Sequence, residues 1–276
     1  MTNFEQLLIE NIPKELEAYI DRYLQAIEKI LALNINSPDE LLNTLNNSQI
    51  DVQLRGEIIP LLTWIGYKPA IRVFTCIAND MDEPIQLRRT AMIYLRSLDP
   101  RRGLKTLKLL LSNPNPSVRL TAVSVLQLNP SRYTFKLATE IVMHQKDVEV
   151  RREATRILGS VASLTKKEKQ SGLQFLSDRI ADKSEDTIVK AYAIEALGNM
   201  RDEQSFETFI KHLSHRSPEI RYMSAYALGE VGDVNTIPIL EQCLKDTGLF
   251  ESWGTVADSA AEAIEIIKQK YSDLRD

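Results

Sequence analysis

The chain has 276 residues, 43% of them hydrophobic, a formal net charge of −4, and only 10 glycines and 11 prolines. That is enough apolar material for a sizeable core, and too few turn-forming residues for a protein built of many short strands. No stretch approaches the roughly 18 uninterrupted apolar residues of a membrane span, so no membrane partner is expected.

The N-terminal stretch, MTNFEQLLIENIPKELEAYI, has neither the basic start nor the continuous apolar run of a secretory signal. A cytoplasmic location is expected. Residues 13–33 read as one long amphipathic helix, and residues 1–48 as a helical cap over the first repeat, since a terminal unit has an uncovered face to close.

From residue 49 onward the sequence repeats itself. The segments LRGEIIPLL (from Leu54-Arg55), LRRTAMIYL (Leu87-Arg88), VRLTAVSVL (Val118-Arg119), VRREATRILG (Val150-Arg151), VKAYAIEALG (Val189-Lys190) and IRYMSAYALG (Ile220-Arg221) align, with a weaker VADSAAEAI from Val256. Successive units lie 33, 31, 32, 39, 31 and 36 residues apart. The two long intervals contain LTKKEKQSG (164–172) and DTGLFESWGT (246–255).

With the basic residue as position zero, apolar or small residues recur at −1, +3, +6 and +7, which is one face of a helix. The alanines Ala91, Ala122, Ala154, Ala193, Ala196 and Ala227 suit close approach of neighbouring helices. Gly159, Gly198 and Gly229, at +8, read as places where each helix loosens toward its end. Segments such as GLKTLKLLL, FETFIKHL and TIPILEQCL supply a second amphipathic helix per unit. The unit is therefore an antiparallel pair, A then B, with turns at Asp99-Pro100, Asn129-Pro130, Ser217-Pro218 and Gly232-Asp233.

The ankyrin signature TPLHxA and the aromatic and glycine landmarks of tetratricopeptide repeats are absent. SPEIRYMSAYALGEVGDVNTIPIL (217–240) and TIVKAYAIEALGNMRDEQSFETFI (187–210) instead resemble HEAT repeats, in the short bacterial form associated with phycobilisome lyases. The resemblance implies an all-α, right-handed α-solenoid over residues 49–276, with about six to seven helix pairs. It also implies that B helices line a concave side and that zero-position basic residues form a structural ladder between repeats. Arg55, Arg88, Arg119, Arg151, Lys190 and Arg221 fit that ladder.

No catalytic constellation is visible. There is no GxxxxGK[ST], no GxGxxG and no GxSxG. His212 and His215 form HxxH, but no third ligand is near in sequence, so no metal is expected. Cys76 and Cys243 fall in apolar patterns and read as reduced core residues.

Charge is uneven. Residues 1–84 carry 6 Lys/Arg against 13 Asp/Glu, whereas residues 85–140 carry 10 against 2. Such a basic middle would steer an anionic partner. Nucleic acid is disfavoured by the acidic total; the segment suits a protein with an acidic surface, or is a solvated surface that happens to be basic.

On the B helices, the positions facing away from the core select Arg89, Ile93, Arg96, Arg152, Arg156, Tyr192, Glu195, Tyr222, Met223, Tyr226 and Glu230, types enriched at recognition surfaces. Leu249, Phe250 and Trp253, in the insertion, are costly in water, and either fold back over the last helix pair or meet a partner.

Two functional readings follow. One is a non-enzymatic scaffold or adaptor that grips another protein in a concave groove and needs no cofactor. The other, implied by the resemblance alone, is a subunit or chaperone of an E/F-type phycobilin lyase handling linear tetrapyrroles on phycobiliproteins, with a bilin held by aromatic and arginine side chains.

Overall fold

The computed structural model describes residues 2–128, 131–160, 165–251 and 253–272. The predicted Asn129-Pro130 turn and the first residue of the 164–172 run lie outside the described residues. The chain forms two compact units, residues 1–125 and 126–276. Both are helical, and the described strand consists of one ribbon of two residues against two.

In the first unit the helices are α1 (Asn3–Glu10), α2 (Ile20–Ala32), α3 (Pro38–Leu45), α4 (Val52–Trp64), α5 (Ala70–Asn79), α6 (Ile85–Leu98), α7 (Pro100–Leu110) and the greater part of α8 (Pro116–Gln127). The expected single helix over 13–33 is broken. Residues Lys14–Tyr19 form a 3-10 turn, Leu16 has φ −99° and ψ 18°, and the α-helix starts only at Ile20. Pro13 explains part of this, because it removes an N–H and can only begin a helical segment. Helix α4 packs against α6, and α5 and α7 against α6. Asp99 joins α6 to α7: it ends the first helix, and its carboxylate accepts from the Arg102 N–H while Pro100 opens the second.

The second unit contains α9 (Arg132–His144), α10 (Val148–Ser160), α11 (Lys166–Ala181), α12 (Thr187–Asn199), α13 (Phe206–His212), α14 (Pro218–Val231), α15 (Ile237–Glu241) and α16 (Val256–Ser272), with 3-10 turns at Glu203–Ser205 and Val234–Thr236. Strands β1 (Leu249–Phe250) and β2 (Gly254–Thr255) pair antiparallel between α15 and α16. Helices α10, α12, α14 and α16 stack side by side in one layer, and α9, α11, α13 and α15 each back onto the B helix that follows. This is the serial pairing of an α-solenoid. Helix α12 is walled in on nearly every side, with residues 191–198 all buried.

The +8 glycines do not loosen their helices. A Cβ on Gly159 would lie 2.7 Å from the Cα of Ala196, one on Gly198 2.9 Å from that of Ala227, and one on Gly229 2.9 Å from that of Ala263. The +8 glycine of one B helix thus faces the +6 alanine of the next. Two positions without bulk bring the backbones together, which is why the layer is tight.

The basic ladder is realised in a recurring form. Arg119 donates from Nη1 to the carbonyls of Asn113 and Pro114 (both 2.8 Å), Arg151 to those of Gln145 and Lys146 (3.0 and 3.2 Å), and Arg221 to those of His215 and Arg216 (2.8 and 3.1 Å). At Arg151 and Arg221 the same guanidinium also reaches an acid ahead of the next B helix, and Arg55 does so without the paired carbonyl contacts. Arg55 meets Glu83 at 2.8 and 2.5 Å, Arg151 meets Glu185 at 2.9 Å, and Arg221 meets Asp246 at 2.6 and 2.9 Å. Arg88 is buried, contacts Met81 Sδ at 3.3 Å, and has no hydrogen-bond partner at Nε.

Cys76 is exposed, not in the core: the buried stripe of α5 is Ala70, Ile71, Phe74, Ile77 and Ala78, and Cys76 falls outside it. Cys243 is buried, and both thiols are free. No helix is long and apolar enough to cross a membrane among the described residues.

Candidate functional site

The site is built on α10, α12 and α14 and on the β1–β2 ribbon. Arg221 and Asp246 fix the base of the ribbon, because the Asp246 carboxylate that pairs with Arg221 also accepts from the Gly248 N–H at 2.9 Å. The Ala257 N–H donates to the Asp246 carbonyl and Val256 to that of Gly248. Gly254, at φ +117°, makes the turn that returns the chain to α16, a conformation closed to other residues without strain.

The ribbon lies over the tyrosines of α12 and α14. Phe250 is buried, with its ring edge-on to Tyr192 (6.2 Å between centroids, 76°) and Tyr222 (5.6 Å, 80°). Trp253 stacks on Phe250 at 6.2 Å; its indole N–H donates to Tyr192 Oη at 3.3 Å, and Tyr222 Oη donates to the Trp253 carbonyl at 3.3 Å. Tyr192 and Tyr222 are accordingly only 5% and 6% exposed. The insertion folds back, but onto the B-helix face and not only onto the last pair. Its apolar residues cover the tyrosine patch and put Leu249 (59% exposed) and Trp253 (42%) at the surface in its place.

Arg152 and Arg156 flank this cluster, each with its guanidinium carbon about 6 Å from the Tyr192 ring centroid (5.8 and 5.9 Å). Both are paired within the chain. Arg152 holds Glu149 at 2.5 Å and Glu153 at 2.8 Å, and Arg156 holds Glu153 at 3.4 Å and approaches Glu195 at 4.0 Å. The i, i+3 spacing of Glu149, Arg152 and Glu153, Arg156 on one helix was available in the sequence.

Glu195 is buried, and its Oε2 accepts no hydrogen bond. Burial, with the Glu153 carboxylate adding and Arg156 opposing, pushes its pKa from 4.5 up to about 7. A carboxyl raised in the folded state makes folding less favourable as pH climbs from about 4.5 through 7. Glu195→Gln is therefore expected to equal the parent near the lower bound and to exceed it by about 1–3 kcal/mol at pH 8, read from urea unfolding at both pH values. A variant less stable than the parent at pH 8 would contradict this environment.

The remaining candidates divide. Tyr226 donates to Asn199 Oδ1 at 2.7 Å and stays half-buried; burial raises its phenol to about 12. Glu230 pairs with Arg201, which has φ 51° and is itself exposed, at 3.7 Å. Met223 is 1% exposed, so it belongs to the core and presents no surface. Its place on the inner side follows from α14 being packed by α12, α13 and α16 at once, which leaves a narrower outer stripe than a lone helix would have. Arg89, Ile93 and Arg96 lie on α6 in the first unit, with Arg89 exposed and the other two half-buried. His212 and His215 have ring centroids 5.9 Å apart, but His212 Nδ1 is engaged with the Thr208 carbonyl and His215 Nδ1 accepts from the Ser217 N–H. Among the described residues no group of three or more His, Cys, Asp and Glu side chains could hold a metal.

The sequence matches the model of HEAT repeats over residues 103–188 and 173–265, more than half of the chain. The chain belongs to the HEAT-repeat family. Protein YibA of Escherichia coli (strain K12) is 29% identical over 174 residues, covering 60% of this HEAT-repeat chain and 59% of YibA. The chain thus spans less than two thirds of that relative's length. Among solved structures, it is similar to an engineered protein (TM-score 0.44, 19% identity, 84% of this chain and 96% of that one). It is also similar to the CpcE–CpcF complex of phycocyanin lyase from Nostoc sp. PCC7120 (TM-score 0.39, 17% identity, 84% and 94%). Human deoxyhypusine hydroxylase is a third (TM-score 0.37, 16% identity, 96% and 95%). At these scores and identities the likenesses say nothing about what this chain binds.

Proposed function

We propose that this HEAT-repeat protein is a binding module, without catalysis of its own, that takes a partner protein on the B-helix face of its second unit, with residues 1–48 serving as its terminal cap. One observation carries the reading. The ribbon presents Leu249 and Trp253 to solvent on a fixed base, beside a guanidinium–carboxylate network. An exposed leucine and tryptophan beside a paired ribbon are poorly accounted for by folding alone, and tryptophan and arginine are the residue types that dominate interface energies.

The partner's contact surface is apolar with neutral polar flanks. Arg152 and Arg156 are already matched by the carboxylates of Glu149 and Glu153, so the stripe has no spare positive charge for a strongly acidic protein. The same pairing weighs against the tetrapyrrole reading, in which these arginines would have to take propionates.

The triple variant Leu249→Ser, Trp253→Ala, Arg156→Ala is expected to lose at least tenfold in capture of the partner from native extract, with helicity by circular dichroism retained. Capture at the parental level would rule this face out.

A further inference from the structure

The basic run of residues 85–140 has no part in the face described above. Within it, α7 holds Arg101, Arg102, Lys105 and Lys108 exposed, and the helix contains no acid. Its buried side is Gly103, Thr106, Leu107 and Leu110. Arg101, Lys105 and Leu109 follow one another at intervals of four, which puts them in one stripe on the other side. Leu109 is 66% exposed, the most open of the large apolar side chains among the described residues. One exposed leucine is ordinary on a protein surface. What gives this one meaning is a hollow of matching chemistry elsewhere in the same chain.

That hollow is a groove of about 650 Å³ in the second unit, on the A-helix layer, where α13 and α15 supply most of the wall. Its floor is Phe206, Ile210, Val231 and Ile239, all half-buried. Its rim is Glu203, Glu207 and Asp233, all exposed. Asn235 and Thr236 complete the wall, and no Lys, Arg or His lines it. Asp233 accepts from the N–H and the side-chain amide of Asn235 at 2.9 and 3.2 Å, two neutral donors that leave its charge in place. Glu203 and Glu207 stand four residues apart, as Arg101 and Lys105 do. Three carboxylates around an apolar floor attract a cationic partner and turn an acidic one away.

We propose that this groove receives helix α7 of a second copy of the chain. Leu109 enters between Phe206, Ile210 and Ile239, and Arg101 and Lys105 meet the Glu203 and Glu207 carboxylates. The two patches differ and are opposite in sign, so each copy supplies one of each. Two α7 faces repel, as do two grooves, which leaves helix against groove as the one favourable pairing. One helix face in one groove falls short of the roughly 1,200 Å² that a stable complex buries. The contact is therefore weak, weakened further by salt, and serves copies that are locally concentrated.

Sedimentation velocity of the full chain at rising concentration, with two charge-reversed variants, tests this. Glu203→Lys with Glu207→Lys turns the groove rim basic, and Arg101→Glu with Lys105→Glu turns the helix face acidic. Each variant alone is expected to associate at least tenfold more weakly than the parent, with unchanged circular dichroism. In an equal mixture the reversed groove of one meets the reversed helix of the other, and association is expected to return. Should a double variant lose helicity, Glu207→Lys and Lys105→Glu serve as the pair. Leu109→Ser, which keeps every charge, is expected to lose fivefold or more. Replacing Leu249 and Trp253 should change nothing, which separates this contact from the B-helix face. Any of three results overturns the proposal: a parent that stays monomeric at every concentration, a reversed variant that associates as the parent does, or a mixture of the two that stays monomeric.

Discussion

Arg55→Ala is expected to destabilise the first unit by about 3–5 kcal/mol, the range for breaking a buried ion pair by removing one partner. Arg55 is 2% exposed, pairs with Glu83 through two nitrogens, and donates from Nε to the Leu45 carbonyl at 2.8 Å. Removing it leaves a carboxylate with little access to water and a backbone acceptor without its donor. Arg88 is the internal control. It occupies the same repeat position, but among the described residues it forms no ion pair and its Nε is unsatisfied, so Arg88→Met is expected to cost less than about 1 kcal/mol. Urea unfolding of both variants decides the matter, and equal costs would show that the zero-position arginine acts through packing and not through its carboxylate.

The seam of the second unit gives an effect of similar size by another route. Gly198→Leu places atoms where the Ala227 backbone already is, 2.9 Å from the new Cβ, on a helix that cannot retreat because α16 lies behind it. Overpacking of this kind costs about 1–3 kcal/mol for a methyl-sized intrusion and more for a longer side chain. Intrinsic propensity points the other way, since glycine to alanine in an open helix is worth about 0.5–1 kcal/mol of added stability. At Gly56, in the middle of α4, nothing lies within 4 Å of where a Cβ would be. Gly198→Ala and Gly56→Ala therefore make a signed pair: the first should lower the thermal midpoint and the second should raise it. If both raise it, the close approach of α12 and α14 is not present.

Repetition made the fold legible. The −1, +3, +6 and +7 residues are buried on every described B helix but α6, where +6 is the half-buried Tyr94, and Arg55, Arg151 and Arg221 bind acids as a ladder requires. What the sequence concealed was anything decided by several neighbours at once. The +8 glycine cannot be told from a fraying point until the facing +6 alanine is seen. Met223 and Cys76 exchange places relative to expectation because the number of helices packed around α14 and α5 sets the width of each apolar face. At the site, Tyr192 and Tyr222 are on the predicted face, yet the ribbon covers them. Periodicity carries no information about an insertion that closes over a surface 61 residues earlier in the chain, as the Trp253–Tyr192 bond does. The arginine pairing was readable from i, i+3 spacing, and it changes the kind of partner the surface suits.

Photocrosslinking tests the central claim most directly. With p-benzoylphenylalanine in place of Leu249, which is 59% exposed, the protein expressed in its own cells is expected to give a discrete crosslinked protein band. The same probe in place of exposed Lys211, on the A-helix layer, should give none. A band from Lys211 and nothing from Leu249 would place the partner on the opposite layer and contradict the assignment of the B-helix face.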